Sequence, residues 1–467
     1  MSSGEKSAPA TSPGASEEAV WSEAPEIVEP IYRIDERPAR LWESVLYGWQ
    51  HTLVDISPFV LPLAVAQALG MALGQQAQLI NACLLAMGLA TLFQTTLGNR
   101  LPIIQGPSAT LIGTLAPVAG QLGGPAMWGG ALVGGLVEAV VGASKILGVL
   151  RRLFPVAVSG VVVLVIGLSL GNLAVRLTVG DGRAQNFAFA GGVVALVLIF
   201  QVAGRRWLGG LLSRGAIFFA IWIVGLGVAG ILGEVDWALV ADKPWFALPS
   251  LFPFGGPGFG WQFSIAAILV VLAGYFGSMV ESLGDYAATC AVAGEPYRVE
   301  HMNRGIFAEG VGSVMAISLG GLPCTSYTQN IGIIASTRVA SRFVVQIAAG
   351  VLILYGLCPK FGALLVAMPR SVLGGVFVIV CGMIAISGIR LLQAAPSDPR
   401  TDLTVGITLI LSLGLPAIVP GVLGADGMEQ LPAILRLLLT NSVVLAVLLG
   451  VGLNLILGST RASEPED

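Results

Sequence analysis

From about residue 42 to residue 458 the chain runs through one apolar stretch after another, separated by short polar joints. A bilayer core about 30 Å thick takes roughly 20 apolar residues per crossing helix, and no water-soluble core uses so many such stretches in series. Charged residues make up only 11% of the 467 residues and the mean hydropathy is +0.85, so water is not the main solvent of this chain. The 62 glycines suit the close helix packing and the broken helices that membranes tolerate. The expectation is an all-α polytopic membrane protein.

Apolar segments are read near 42–67, 76–98, 107–118, 126–150, 155–178, 187–204, 214–234, 262–284, 304–320, 328–337, 340–358, 371–388, 402–422 and 437–458. That makes fourteen, of which the third and the tenth are too short to cross. Residues 1–40, rich in Ser, Pro, Ala and Glu, read as a disordered cytoplasmic tail with no signal peptide, and 459–467 as a second cytoplasmic tail. With both termini inside, the cytoplasmic joints collect Arg100, Arg151, Arg152, Arg205, Arg206, Arg214, Arg298, Arg304, Arg338, Arg342, Arg390 and Arg400. The external joints hold fewer, which is the bias positive-inside insertion produces. The long external connection, 236–261, carries Trp237, Trp245, Phe246 and Trp261 and reads as an interfacial aromatic belt.

Several function classes drop out. A net charge of −3 and a pI near 5.6 leave no basic stripe for nucleic acid. The five cysteines lie in or beside apolar stretches without metal-ligand spacing, and the two histidines, His51 and His301, rule out a His-rich metal site. No Ser-His-Asp arrangement, phosphate loop or metal motif marks an enzyme, and no cofactor is expected.

A faint internal echo divides the chain. Leu101-Pro102 leads into the third segment at Ser108, and Leu322-Pro323 leads into the tenth at Gln329. Each proline pushes the residue before it towards extended geometry, so two half-helices are expected in corresponding positions of two inverted halves, segments 1–7 and 8–14. Their N-terminal N–H groups would make a polar cradle at membrane depth. The polar residues inside the segments are few: Gln50 and His51, Glu138, Glu281 and Asp285, Glu309, and Gln329 and Asn330. Each needs a reason, because an ionisable group in hydrocarbon costs about 2.5–3.5 kcal/mol even on the lenient scale. Glu281 and Asp285 are spaced i, i+4 and would repel if both were ionised; one carries a proton or a partner, or both lie in water at the end of segment 8. His51 is either a proton relay or a neutral bond between helices. Glu138 and Glu309, set among glycines, read as interhelical bonds.

The run Gln329-Asn330-Ile331-Gly332-Ile333-Ile334-Ala335-Ser336-Thr337-Arg338 resembles the signature of the nucleobase–ascorbate transporter family, Q/E/P-N-x-G-x-x-x-x-T-R/K/G. Gln50-His51 is similar to the family's Gln-His motif, and Glu281-Ser-Leu-Gly-Asp285-Tyr to its acidic substrate motif. Arg304-Gly-Ile-Phe-Ala-Glu309-Gly also looks like family sequence, and the likeness covers roughly residues 30–455.

The resemblance implies fourteen segments in two inverted repeats. A core domain of segments 1–4 (41–153) and 8–11 (262–358) would move as an elevator against a gate domain of segments 5–7 (154–235) and 12–14 (359–458), in a homodimer of the plasma membrane. It implies proton-coupled symport of a nucleobase held by Glu281 and Gln329, with Asn330, Ser108 and Ala109 in the site. Proton coupling falls to His51, Asp285 and Glu281, and signature or structural roles to Gln50, Gly332, Thr337, Arg338 and Glu309. Family members with Gln at the first signature position take xanthine or urate, so an oxopurine is favoured over uracil. Two departures are visible. Ala109 stands where relatives place a stacking Phe, and Asp285 where some proton-coupled relatives have His. The alternative cargo is ascorbate or another small organic anion. The similarly folded sulfate and bicarbonate permeases fit less well, because Glu281 would repel an anion.

Overall fold

The computed structural model describes residues 29–55, 57–144, 146–147, 155–203, 211–248 and 260–458, with the side chains of 57–59 excepted. Residues 1–28, the 459–467 tail, Arg151, Arg152, Arg205 and Arg206, and residues 249–259 of the expected aromatic belt lie outside the described residues.

The first apolar segment, expected as one span over 42–67, is two helices, α1 (Leu41–Val54) and α2 (Ser57–Ala68), with Asp55 in the break. The rest of the first half is α3 (Leu73–Thr96), strand β1 (Gln105–Pro107), α4 (Ala109–Leu122), α5 (Gly124–Ser144), α6 (Val156–Val179) and α7 (Ala184–Val202). Segment 7 is a composite of α8 (Leu211–Arg214), α9 (Ala216–Trp222), a π-helical turn (Ile223–Val228) and α10 (Ala229–Ile231), followed by the short α11 (Trp237–Ala241). The second half holds α12 (Ile265–Ala293), α13 (Val299–Ser318), strand β2 (Cys324–Ser326), α14 (Thr328–Thr337), α15 (Arg342–Gly356), α16 (Pro359–Ala367), α17 (Arg370–Gln393), α18 (Pro399–Gln430), α19 (Ala433–Thr440) and α20 (Ser442–Gly458). Among the described residues seven helices, α3, α5, α6, α7, α12, α17 and α18, are long and apolar enough to cross a membrane. The pairs α15–α16, bent by 74°, and α19–α20, bent by 91°, raise the number to nine if each is one span.

The fold is mostly helical, and the all-α expectation needs one correction. β1 and β2, each three residues long, pair antiparallel with Gln105 opposite Ser326 and Pro107 opposite Cys324. Extended backbone at this depth must have its polar groups satisfied inside the protein, and three devices do so. Tyr327 N donates to Ile104 O at 3.0 Å and Ser108 N to Pro323 O at 3.2 Å, tying each lead-in to the other. Thr91 on α3 serves the outer edge of β1, its Oγ1 accepting from Gln105 N at 2.9 Å and donating to Gln105 O at 3.3 Å. Ser313 on α13 does the same for β2, accepting from Cys324 N at 3.1 Å and donating to Cys324 O at 3.2 Å.

The core is held by glycine contacts. A Cβ on Gly310 of α13 would press into the backbone N of Ala139 on α5, and one on Gly142 of α5 would press into Phe307 N of α13. Small residues at such crossings let helix backbones touch. In contrast, α18 has only 11% of its apolar window buried, and Ile410, Ile418 and Val422 are each more than half exposed. An apolar helix left bare in this way faces lipid.

Residues 29–40, the end of the stretch read as a tail, run along the C-terminal end of α14. Ile31 N donates to Arg338 O at 2.7 Å, Ala340 N to Tyr32 O at 2.9 Å, and Arg342 Nε to Asp35.

Candidate functional site

One face of α12 gathers the polar groups. Ser278, Glu281, Ser282, Asp285 and Tyr286 fall at i, i+3, i+4, i+7 and i+8 and so form a single stripe. The N-terminal ends of α4 and α14 both meet that stripe. Ser108 caps α4 by accepting from Leu111 N at 3.2 Å, and its Oγ lies 3.3 Å from that of Ser278. One turn along α12, Thr110 Oγ1 donates to Glu281 Oε2 at 2.8 Å. A further turn on, Asp285 accepts from Thr328 Oγ1 at 2.7 Å, at the first residue of α14, and from Ser326 Oγ at 2.8 Å, at the end of β2. The antiparallel strand pair is what brings the two helix starts to the same face.

Behind this stripe lies a buried hydroxyl network. Ser326 Oγ also lies 2.9 Å from Ser282 Oγ, and Ser282 Oγ donates to Glu309 Oε1 at 2.6 Å. The other oxygen of Glu309 accepts from Tyr286 at 2.7 Å, and Gln94 Nε2 donates to the Tyr286 hydroxyl at 3.1 Å. Glu309 is therefore fully partnered, as a bond between α12 and α13. Glu138 on α5 is fully buried and neither of its oxygens has a hydrogen-bond partner among the described residues.

The expected site residues divide into two groups. Glu281, Ala109 and Gln329 are only half-buried, and the Gln329 side chain makes no hydrogen bond among the described residues. Ser108 and Asn330 are fully buried. Asn330 sits one residue beyond Gln329, and both of its amide atoms are used: Oδ1 lies 2.8 Å from His51 Nδ1, and Nδ2 donates to Asp55. Gln50 is buried next to His51. The far end of the signature is a helix stop. Thr337 Oγ1 donates back to Ile333 O at 2.7 Å, and Arg338 adopts the left-handed conformation at φ 58°. Gly332 faces open space.

Four participants were not singled out from the sequence. Asp55 ends α1 and binds Asn330. Gln105 in β1 is 1% exposed, and neither amide atom has a hydrogen-bond partner among the described residues. Ser282 and Ser326 link Asp285 to Glu309. For Asp55 a signal existed: an acid inside an apolar run, followed two residues on by Ser57-Pro58, a helix-start pair.

The "Permease family" model (Xan_ur_permease) matches residues 42–421. The chain belongs to this permease family. The uric acid permease PucK of Bacillus subtilis is 32% identical to this permease over 435 residues, covering 90% of this chain and 94% of PucK. The xanthine permease XanQ of Escherichia coli K12 is 31% identical over 450 residues, covering 91% and 93%. Such proteins are transporters rather than enzymes. Among solved structures, the transmembrane domain of a cyanobacterial bicarbonate transporter, BicA, superposes with TM-score 0.56 at 17% identity, covering 80% of this permease and 98% of that domain. Murine Solute Carrier 26 family member A9, an anion transporter in its inward-facing state, gives TM-score 0.59 at 12% identity, covering 91% and 69%. At those identities the likeness speaks for the fold alone.

Proposed function

We propose that this permease imports a nucleobase, an oxopurine such as xanthine or urate, in symport with protons. The observation that carries this reading is the convergence of the α4 and α14 starts on Glu281 and Asp285. Two helix N-termini offer N–H donors and partial positive charge, and beside them a carboxylate that only accepts and a glutamine amide that both donates and accepts. Such a set matches the alternating N–H and C=O edge of an oxopurine. Glu281 Oε2 is oriented by Thr110, and the Gln329 side chain makes no hydrogen bond among the described residues, so both are available to a ligand. Asn330 holds the first turn of α14 in place beneath Gln329. His51, Asp285 and Glu281 take the coupling protons. The names of the relatives, uric acid and xanthine permeases, favour the same cargo.

The wider architecture in this reading is fourteen segments in two inverted repeats, α4 and α14 being the two half-helices. The matching roles of Thr91, from α3 towards β1, and of Ser313, from α13 towards β2, support that symmetry, since α3 and α13 are the helices that precede each strand and its half-helix. The core domain carries the site and moves as an elevator against the gate domain, in a plasma-membrane homodimer with cytoplasmic termini.

The test is uptake of labelled xanthine by cells lacking their own nucleobase permeases, with unlabelled urate, uracil and ascorbate as competitors and with a protonophore. Protonophore-sensitive uptake blocked by urate is the expected result. An absence of xanthine uptake from well-expressed protein overturns the cargo. Inhibition by ascorbate would then point to a small organic anion, in a pocket where Ala109 offers no ring for a base to stack on. Gln329→Ala is expected to lower uptake at least tenfold, the equivalent of about 1.4 kcal/mol for the loss of a hydrogen-bonding amide, with normal membrane insertion. Retained uptake removes Gln329 from the site.

A further inference from the structure

Asp55 occupies a place where a carboxylate needs explaining. It stands in the break between α1 and α2 with φ −83° and ψ 72°, and it is 1% exposed. The last carbonyls of α1 are without intrahelical partners and form the negative end of its dipole, so an added anion there is opposed by the helix and by burial. One Asp55 oxygen accepts from Asn330 Nδ2, and the other has no hydrogen-bond partner among the described residues.

The Asn330 amide fixes the chemistry on its other side. With Nδ2 committed to the carboxyl group, Oδ1 can only accept, so His51 carries hydrogen on Nδ1 at the 2.8 Å contact. That holds for the neutral imidazole and for the imidazolium alike. Neither bond of Asn330 has to change when a proton is placed on His51 Nε2 or on Asp55. The amide thus bridges an acid and a base without favouring one location of the proton. With one transferable proton the trio is neutral, as Asp⁻ with His⁺ or as the uncharged acid with neutral His. With none it bears −1, and with two it bears +1. In a site shut off from water the neutral occupancy is strongly preferred.

The titratable and charged groups around it are few. α1 packs against α15, α14, α9 and α8. α15 contributes Arg342, bound to Asp35, and Tyr355, which accepts from Trp49 Nε1 at 3.2 Å. α8 contributes Arg214 beside Gly215, and the approach to α14 contributes Tyr327, whose hydroxyl donates to Pro107 O at 3.0 Å. α9 and α14 themselves carry none.

We propose that Asp55 is a proton-carrying residue of this permease, forming with Asn330 and His51 one unit that holds a single transferable proton next to Gln329. The step is reversible O–H bond formation: the unpartnered Asp55 oxygen takes a proton from water on one side of the membrane and returns it to water on the other. This rests on the proton-coupled reading above, in which His51 acts without an identified counter-charge. Asp55 supplies that charge, and Asn330, being adjacent to Gln329, transmits cargo binding to the unit.

The experiment is labelled-xanthine transport by cells expressing wild type, Asp55→Asn, Asp55→Glu and His51→Gln, each read in two ways. Net uptake is followed from about pH 5 to about pH 8, the range over which an imidazole ordinarily changes charge. Counterflow exchange, which needs no net proton movement, reports cargo binding and movement of the folded protein. Expected is an Asp55→Asn variant that still exchanges xanthine but whose net uptake no longer responds to external pH. Asp55→Glu should restore the response. His51→Gln should flatten the profile in the same way, and the double variant should be no flatter than either single one, as for two members of one unit. An Asp55→Asn profile that follows wild type, or losses that add in the double variant, overturns the proposal. If Asp55→Asn fails to reach the membrane, the comparison of Asp55→Glu with His51→Gln decides: a flattened His51→Gln beside a responsive Asp55→Glu supports it, and two responsive variants overturn it. A wild type whose uptake ignores pH overturns the proton-coupled reading itself and this inference with it, whereas a responsive wild type matched by Asp55→Asn sinks the inference alone.

Discussion

Glu281→Gln should lower xanthine uptake roughly 30- to 150-fold while the protein still inserts and folds. The size follows from the loss of a hydrogen bond to a charged group, about 2–3 kcal/mol in a site shielded from water. Folding should be spared because the exchange keeps the side chain's volume and removes a charge from membrane depth, where charge is costly. The Thr110 contact at 2.8 Å survives too, since its hydroxyl can donate to an amide oxygen as it does to the carboxylate. Thr110→Val is the companion measurement. It keeps the shape of the side chain and removes the hydroxyl that orients Glu281, so a smaller loss, within about tenfold, is expected, because the carboxylate that meets the cargo stays in place and loses only an orienting bond. Uptake and its concentration dependence, corrected for protein in the membrane fraction, separate the two. A Glu281→Gln variant with wild-type uptake takes Glu281 out of the cargo site, and a Thr110→Val loss exceeding that of Glu281→Gln shows that Thr110 itself meets the cargo.

The parts of this protein that were legible in its sequence are those with a period or a length. The long helices announced themselves by twenty-residue apolar runs, and α14 begins and ends where its short segment was read, at 328 and 337. The reason is local: Thr337 turns back on Ile333 and Arg338 takes the left-handed conformation, so the signature writes its own helix stop. The strand pair was not legible. Three extended residues carry no alternation to detect, and what fixes them are single side chains on the preceding helices, Thr91 and Ser313, and the backbone of a partner strand in the other half of the chain. The break in the first segment was missed for a different reason, because apolar length outweighed the Ser57-Pro58 helix start, and Asp55 was read over with it. The acidic stripe on α12 was visible as i, i+4 spacing, whereas the link from Asp285 to Glu309 through Ser326 and Ser282 joins residues 24 apart by way of a strand. Hydroxyl networks of this kind leave no spacing in a sequence, since any serine can join one once the fold has placed it.

Gly310→Leu should abolish stable folding, in contrast to the site variants. The crossing of α5 and α13 is a contact of backbone against backbone: a Cβ at Gly310 meets Ala139 N and Gly135 O, and one at Gly142 meets Phe307 N and Asn303 O. A rotamer change relieves overpacking when the obstacle is the tip of a side chain, but here the obstacle is main chain, and only separation of the helices makes room. Overpacking in a close-packed core costs about 1–3 kcal/mol when side chains can yield, so the cost at this crossing lies at or above the top of that range. The separation also reaches the site, because α13 carries Glu309 and the Ser313 that pins β2, while β2 leads directly into the first turn of α14. A drop in monodisperse protein after detergent extraction and in thermal unfolding temperature is the expected measurement, with Gly332→Leu as the control, since nothing lies within 4 Å of a Cβ at Gly332. A Gly310→Leu protein as stable as that control would mean that α5 and α13 separate at this crossing without cost, and Glu309 would then have no fixed place beside Ser282.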